Sequence, residues 1–245
     1  YDTVVAALRQ VTPKTSIIIV TYNNLALTKL CLESLLRNTK YTSYEIIVVD
    51  NNSHDGTQSY LRYMASRHKH IRTVLNTTNN GFAKANNQGI ALSTGEYLVL
   101  LNNDTIVPPG WLRQLVRHLQ DPEVGMVGPT TNFVGNEAKI DAPYSTWDEM
   151  EEFARTYTWA NESLAAEIHM LAMFCVAFRR DVYQTIGPLD ERFGVGMFED
   201  DDYSHRVKQE GYRVLCVQDV FVHHFGQAAF GKLIEDGSYD FIFEE

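Results

Sequence analysis

Cysteine is scarce in this chain of 245 residues: Cys31, Cys175 and Cys216 are odd in number, widely spaced and free of any CxxC pair. A disulfide framework and a structural zinc site are therefore excluded, and three buried free thiols in a reducing, cytosolic compartment are expected. Long hydrophobic runs are missing too. Ile17 to Val20 and Tyr97 to Leu101 are strand-sized, far short of the roughly 20 residues that cross a bilayer. Basic residues are outnumbered, 21 Lys and Arg against 31 Asp and Glu, and no local basic stripe offsets the net charge of −10. Nucleic acid and anionic membrane surfaces are thereby disfavoured as direct partners. Two phosphate-binding fingerprints, GxGxxG after the first strand and GxxxxGK[ST], are also absent, which removes the simplest dinucleotide and P-loop readings. What remains is 44% hydrophobic and 21% charged, the composition of a globular chain long enough to bury a core. A signal peptide is not expected. The sequence starts at Tyr1 and ends on the aromatic stretch Phe241 to Glu245, so one module of a longer polypeptide is expected.

The first hundred residues alternate between β-branched runs and helical spacing. Ser16 to Thr21 is a strand, and Leu27, Leu30, Cys31 and Leu35 follow at helical intervals. Glu45 to Asp50 repeats the pattern, with Tyr60, Leu61, Met64 and Ala65 in its helix. Ile71 to Leu75 leads through Asn79-Asn80-Gly81 into a helix with Phe82 and Ile90, and Tyr97 to Leu101 makes a fourth strand. Continuously apolar strands joined by helices predict an α/β fold with a mostly parallel sheet covered on both faces. A helix from Trp111 to Leu119 and a short strand from Val124 to Val127 follow. From Thr130 to about Ala166 the alternation lapses, apart from a helix around Trp147 to Tyr157. Met170 to Phe178 then reads as a strand, Val182 to Ile186 as a short helix, Tyr203 to Gln209 as a helix and Val220 to Val222 as a last apolar run. No Ser/Gly-rich linker divides the chain, so one domain with two functional halves is expected.

In open sheets ligands bind beyond the carboxyl ends of the strands. Here three such ends carry polar residues: Thr21-Tyr22-Asn23, Asp50-Asn51-Asn52-Ser53 and Asn102-Asn103-Asp104. Turn chemistry accounts for any one of them, but three on one edge point to a binding site. Downstream lie Glu199-Asp200-Asp201-Asp202 and His223-His224. Carboxylate, imidazole and a diphosphate oxygen make a coherent ligand set for Mg²⁺ or Mn²⁺. Four consecutive carboxylates exceed what a helix N-terminus needs for its dipole, and crowding of like charge raises the pKa of at least one of them toward general-base work. The two histidines stand on opposite faces if their strand continues.

Four ordered motifs resemble the family 2 glycosyltransferases: Ser16-Ile-Ile-Ile-Val-Thr-Tyr-Asn23, Val48-Val-Asp-Asn-Asn-Ser-His-Asp-Gly-Thr57, Asn80-Gly-Phe-Ala-Lys-Ala-Asn-Asn-Gln-Gly89 and Gly95-Glu-Tyr-Leu-Val-Leu-Leu-Asn-Asn-Asp104. Gly187 to Phe193, Phe198 to Tyr203 with Arg206, Gly211-Tyr212 and His223 to Gly226 extend the resemblance, so it covers about Ser16 to Gly226. It implies a GT-A fold, in which a Rossmann-like sheet is joined to an irregular acceptor-side half. About 16–128 would be the nucleotide-sugar half and about 129–245 the acceptor and catalytic half.

The resemblance further implies a nucleotide-sugar donor, a divalent metal and inversion at the anomeric carbon. Position by position, Val20, Tyr22, Asn23, Asp50 and Asn51 would hold base and ribose, and Gly81, Lys84 and Asn87 would line the donor side. Asn102, Asn103 and Asp104 stand where the family carries its DxD motif, with Asp104 on the metal. Asp200, beside Glu199, stands at the catalytic base. His223 would be the second metal ligand, with His224 as the fallback. The first two motif positions depart from the family by being amides, so a single carboxylate offsets the metal charge. A UDP-sugar is the expected donor, and a glycan, a lipid-linked sugar or a protein the acceptor, in polysaccharide biosynthesis. The expected location is cytoplasmic, at the inner membrane face through other domains or partners. The acceptor is expected against Trp147, Met170 to Phe174 and the loop before Phe198. Two rival readings are a non-catalytic binding module and a sugar nucleotidyltransferase, the latter lacking its Gly-rich loop.

Overall fold

The computed structural model describes residues 13–226; Tyr1 and the Phe241 to Glu245 stretch lie outside the described residues. The expected alternation is present. In chain order come β1 (Thr15–Thr21), α1 (Leu25–Asn38), β2 (Tyr44–Asp50), α2 (Thr57–Arg67), β3 (Ile71–Leu75), α3 (Phe82–Leu92) and β4 (Tyr97–Asn102). Ile17, Ile18 and Ile19 are wholly buried because helices cover both faces of the strand, and each such side chain contributes roughly 1.5–3 kcal/mol by leaving water. Alternate residues of β1 feed opposite cores. Ile17 and Ile19 pack with Leu32, Leu35 and Trp111, and Ile18 packs with Leu98, Leu100 and Phe178.

The second half adds β5 (Thr105–Ile106), α4 (Trp111–His118), β6 (Val124–Thr130), α5 (Trp147–Ala160), β7 (Ala165–Glu167) and β8 (Cys175–Arg179). It continues with α6 (Arg180–Ile186), α7 (Glu199–Gln209), β9 (Arg213–Phe221) and β10 (His223–His224). One eight-stranded sheet of order β3-β2-β1-β4-β8-β6-β9-β7 spans both halves. β1, β2, β3 and β4 run parallel. β8 is antiparallel to both of its neighbours, β4 and β6. The strand order reverses direction between β1 and β4, which makes their carboxyl ends the switch point where a ligand crevice forms.

Two predicted elements differ. The strand expected over Met170 to Phe178 is regular only from Cys175: the Phe174 carbonyl still accepts from the Asn102 amide at 2.8 Å, but the Leu171 amide turns to Ser204 Oγ at 3.2 Å. The four carboxylates expected ahead of a helix instead form its first turn. Among the described residues no helix is long and apolar enough to cross a membrane, and all three cysteines are buried and free.

Candidate functional site

A pocket of about 390 Å³ lies at the switch point, where Val20, Tyr22, Asn51 and Gly81 from the first half meet Asp104, Glu199, Asp200 and His224. Its floor is the sheet edge. Val20 sits between Val49 of β2 and Asn102 of β4, so the strand ends converge by register. Met170, Ala172, Met173 and Phe174, just ahead of β8, form an apolar wall, and Val195, Met197 and Phe198 form the rim. These are the acceptor-side segments named from sequence, apart from Trp147, which the pocket does not include.

Asp104 is 5% exposed, and its Oδ1 lies 3.3 Å from His224 Nε2. The contact is built by pairing: β10 runs antiparallel to β5, with His224 opposite Thr105, and the Phe225 amide donates to the Asp104 carbonyl at 3.0 Å. His224 is held on three further sides. Its backbone exchanges hydrogen bonds with the Asn132 side chain, its ring stacks on Phe174 at 4.9 Å, and its Nδ1 lies 2.9 Å from the Phe133 carbonyl. A carbonyl only accepts, so Nδ1 donates there, and Nε2 is the ring nitrogen that faces the Asp104 carboxylate. A carboxylate and an imidazole nitrogen that close fit the donor set of a borderline divalent metal. Among the described residues no group of three or more His, Cys, Asp or Glu side chains converges as a metal site, so any further ligands would come from a diphosphate and water.

His223 lies elsewhere. Its Nδ1 is 2.6 Å from Tyr144 Oη, and its ring packs against Tyr144, Trp147 and Phe225. Burial, followed by the neighbouring His224, pushes its pKa down to about 4. The expected order of the two histidines is thus reversed by geometry: the strand's two faces separate them, and it is the fallback, His224, that meets Asp104.

The carboxylate run divides by environment. Glu199 is 8% exposed and its Oε2 has no hydrogen-bond partner. Burial first, and the charges of Asp200 and Asp201 after it, push its pKa up to about 7. Asp200 is half-buried in the pocket, accepts from the Asp201 amide at 3.0 Å and is raised chiefly by burial. Crowding, the cause expected from sequence, is secondary to desolvation. Asp202 is drawn off to Arg206 at 2.7 Å. The turn that delivers Glu199 and Asp200 is strained: Met197 and Phe198 have φ of 88° and 70°, a region costly for non-glycine residues that clusters at functional sites.

The remaining predicted residues separate into lining and support. Asn51 lines the pocket and donates to the Gly81 carbonyl at 3.0 Å. Asp50 is fully buried behind it, with Oδ2 bound to the Ser53 amide and Gln58 and Oδ1 unpartnered. Asn23 ties the first loop to the second by accepting from the His54 amide at 2.9 Å. Asn102 and Asn103 line the pocket, but the Asn103 amide group points back to Thr28 Oγ1 at 3.0 Å. Lys84 is exposed on α3 and Asn87 is occupied by Leu189 and Glu191; neither lines the pocket, because the helix turns both away from it. Gly81 does, and its φ of 77° and a virtual Cβ 1.9 Å from the Gly194 carbonyl explain why no larger residue serves. Asn132 and Phe133, which hold His224 by a side-chain amide and by a carbonyl and ring respectively, have no sequence signal, since they lie some ninety residues away in a stretch without strand or helix pattern.

Residues 16–187 match the family model described as "Glycosyl transferase family 2". The chain is 30% identical over 251 residues to the O-antigen biosynthesis protein RfbC of Myxococcus xanthus, covering 93% of this chain and 18% of that protein. Among solved structures, a mannosyltransferase from Pyrobaculum calidifontis in complex with GDP-Man and Mn²⁺ matches with a TM-score of 0.67 and 24% identity, over 89% of this chain and 59% of that one. GalNAc-T7 with UDP, GalNAc and Mn²⁺ matches with a TM-score of 0.71 and 17% identity, over 88% and 44%. The chain thus spans less than two thirds of each of these proteins. Taken with the ordered motifs and the pocket at the β1/β4 switch point, the match identifies this chain as a GT-A-fold member of glycosyl transferase family 2.

Proposed function

We propose that this chain moves a sugar from a nucleoside-diphosphate sugar, with a UDP-sugar the expected donor, to an acceptor hydroxyl with inversion at the anomeric carbon. The observation that carries this reading is that one pocket holds both the Asp104–His224 pair and the desolvated carboxylate of Asp200. Val20, Tyr22 and Asn51 would receive the base and ribose, with Asp50 behind them. A divalent cation, Mn²⁺ or Mg²⁺, held by Asp104 and His224 would neutralise charge on the departing diphosphate. Asp200 accepts the proton of the attacking acceptor hydroxyl, and burial favours that transfer by raising its proton affinity. Phe174 and Met173 keep water from the reacting carbon on the acceptor side. A glycan, lipid-linked sugar or protein hydroxyl would enter there, in a cytoplasmic step of polysaccharide assembly that further domains or partners bring to the membrane.

The reading is tested by incubating the protein with Mn²⁺ and UDP-, GDP- and TDP-sugars and measuring free nucleoside diphosphate. Slow, chelator-sensitive release from one donor class is expected. Release from none would favour a binding module, and a requirement for nucleoside triphosphate would favour nucleotidyl transfer. Asp200→Asn keeps the shape but not the base, so donor binding should persist while turnover falls about 10²- to 10⁴-fold. Near-wild-type turnover would remove Asp200 from that role.

A further inference from the structure

One aromatic side chain at the pocket mouth is costly for the fold to hold. Phe198 ends the loop that begins at Gly194 and stands at the N-cap of α7, with φ of 70° and ψ of −5°, directly after Met197 at φ 88°. Two bulky residues thus take left-handed conformations in succession, where glycine would be relaxed. Burial does not offset that strain, because Phe198 is 62% exposed and Met197 38%. Among the described residues no other ring or cation stacks on the Phe198 ring. The side chain nevertheless lines the strand-end pocket, two positions before Asp200. A phenyl face is therefore held open against a conformational cost, beside the carboxylate that the transfer reading makes the base, and strain of this kind gathers at ligand sites.

The surroundings limit what can lie on that ring. Asp200 and Asp201 line the same pocket. Asp201 is exposed and has no hydrogen-bond or ion-pair partner for its side chain among the described residues, in contrast to Asp202, which Arg206 holds at 2.7 Å. A phosphate or carboxylate on a ligand would meet two like charges here. An acyl or isoprenyl chain would strip water from both carboxylates and give no hydrogen bond in return. An extended peptide brings amides along its edge but no flat apolar face unless a side chain supplies one. A sugar ring meets both demands, since its C–H face covers the phenyl ring while its hydroxyls donate to the carboxylates. Met173 and Met197, on the same pocket, adapt their flexible thioethers to the edge of such a ring.

We propose that Phe198 is the platform on which the terminal sugar ring of the acceptor lies, with Asp201 accepting from its hydroxyls, so that the acceptor is a carbohydrate and not a serine or threonine side chain. The word acceptor rests on the transfer reading above; the stacking itself needs neither donor nor metal. The full chain is titrated in metal-free buffer with the methyl glycosides of glucose, galactose, mannose and N-acetylglucosamine and with a Ser/Thr-rich peptide, each followed by saturation-transfer NMR. At least one glycoside should bind in the millimolar range. Phe198→Ala should weaken it about tenfold and Asp201→Ala to a similar extent, while Phe198→Tyr keeps it. Phe198→Gly should lose the same binding yet melt about 2–4 °C higher, because it relieves the left-handed strain; a ring that served only packing would show the opposite shift. No saturation transfer to any glycoside, equal binding by Phe198→Ala, Phe198-dependent binding of the peptide in place of a glycoside, or a lower melting temperature for Phe198→Gly would each overturn the platform. Phe198-dependent glycoside binding by a chain that releases no nucleoside diphosphate from any donor would sink the transfer reading and leave the platform supported.

Discussion

The two halves of the molecule are built by different rules. In the first, β1 to β4 are parallel and pair without a register shift, with apolar runs at the centres of β1, β2 and β4, and their polar ends reach the same edge as a consequence of sheet geometry alone. In the second, the candidate site residues arrive singly: Asp200 in a helical turn that follows two left-handed non-glycine residues, and His224 on a two-residue strand. A regular scaffold fixes where the pocket lies, while irregular segments, held by specific contacts, supply its strained and desolvated side chains.

The comparison is broken most severely where the halves touch. Gly81→Ala would place a Cβ 1.9 Å from the Gly194 carbonyl at a φ of 77°, so a loss of about 2 to 5 kcal/mol is expected, read as a fall in denaturant midpoint. An unchanged midpoint would mean that the 194–198 loop is not seated on the first half. Next comes the histidine pair. His224→Ala should weaken Mn²⁺-dependent donor binding about 10- to 100-fold, whereas His223→Ala, which empties a place among aromatic rings, should mainly lower thermal stability. The reverse pattern in calorimetry with donor and Mn²⁺ would restore the order expected from sequence.

A smaller effect separates buried from crowded carboxylates. Burial pushes the folded Glu199 carboxyl up to about 7, while in the unfolded chain it loses its proton near 4.5. The folded state thus holds an extra proton across that window, and stability falls as pH rises through it. Glu199→Gln should remove this slope, gaining on the wild type by up to about 3 kcal/mol above pH 7 relative to below pH 4.5. Parallel melting curves at pH 5 and pH 8 check it, and identical slopes for both proteins would refute the assignment. The least effect is expected from the thiols. Burial pushes Cys31 up to about 12 and Cys216 to about 11, and raises Cys175 as well, so a thiol reagent at pH 8 should titrate none of the three until denaturant is added. Prompt reaction of the native protein would contradict their burial.

The scaffold was legible in sequence because its signals are local. Runs such as Ile17 to Val20 and Ile46 to Val49 fit only strands covered on both faces, and their polar ends follow by continuity. The candidate site was legible in its composition but not in its connections. Whether His223 or His224 faces Asp104 depends on register with β5, a pairing across more than a hundred residues that no local pattern encodes. The same limit hid the irregular course of Met170 to Phe174, where the Leu171 amide turns to Ser204. The retuning of Glu199 by burial escaped for a similar reason: four acids in a row advertise repulsion, and only packing reveals which one is enclosed.

The antiparallel seating of β8 has one more consequence. Because β6 and β8 are neighbours running in opposite directions, with Val127 opposite Ala177, residues 131–174 leave β6 and return to β8 beside it, adding only β7 at the far edge of the sheet on the way, like the span of a bridge with adjacent piers. Closing such a span costs little more as it lengthens. The pocket's apolar wall and the whole of α5 ride on it, while β1 to β4 are untouched by its length. Length and sequence can therefore change over the middle of the span, around α5, without disturbing β1 to β4, whereas its two ends, Asn132–Phe133 and Phe174, are tied to His224.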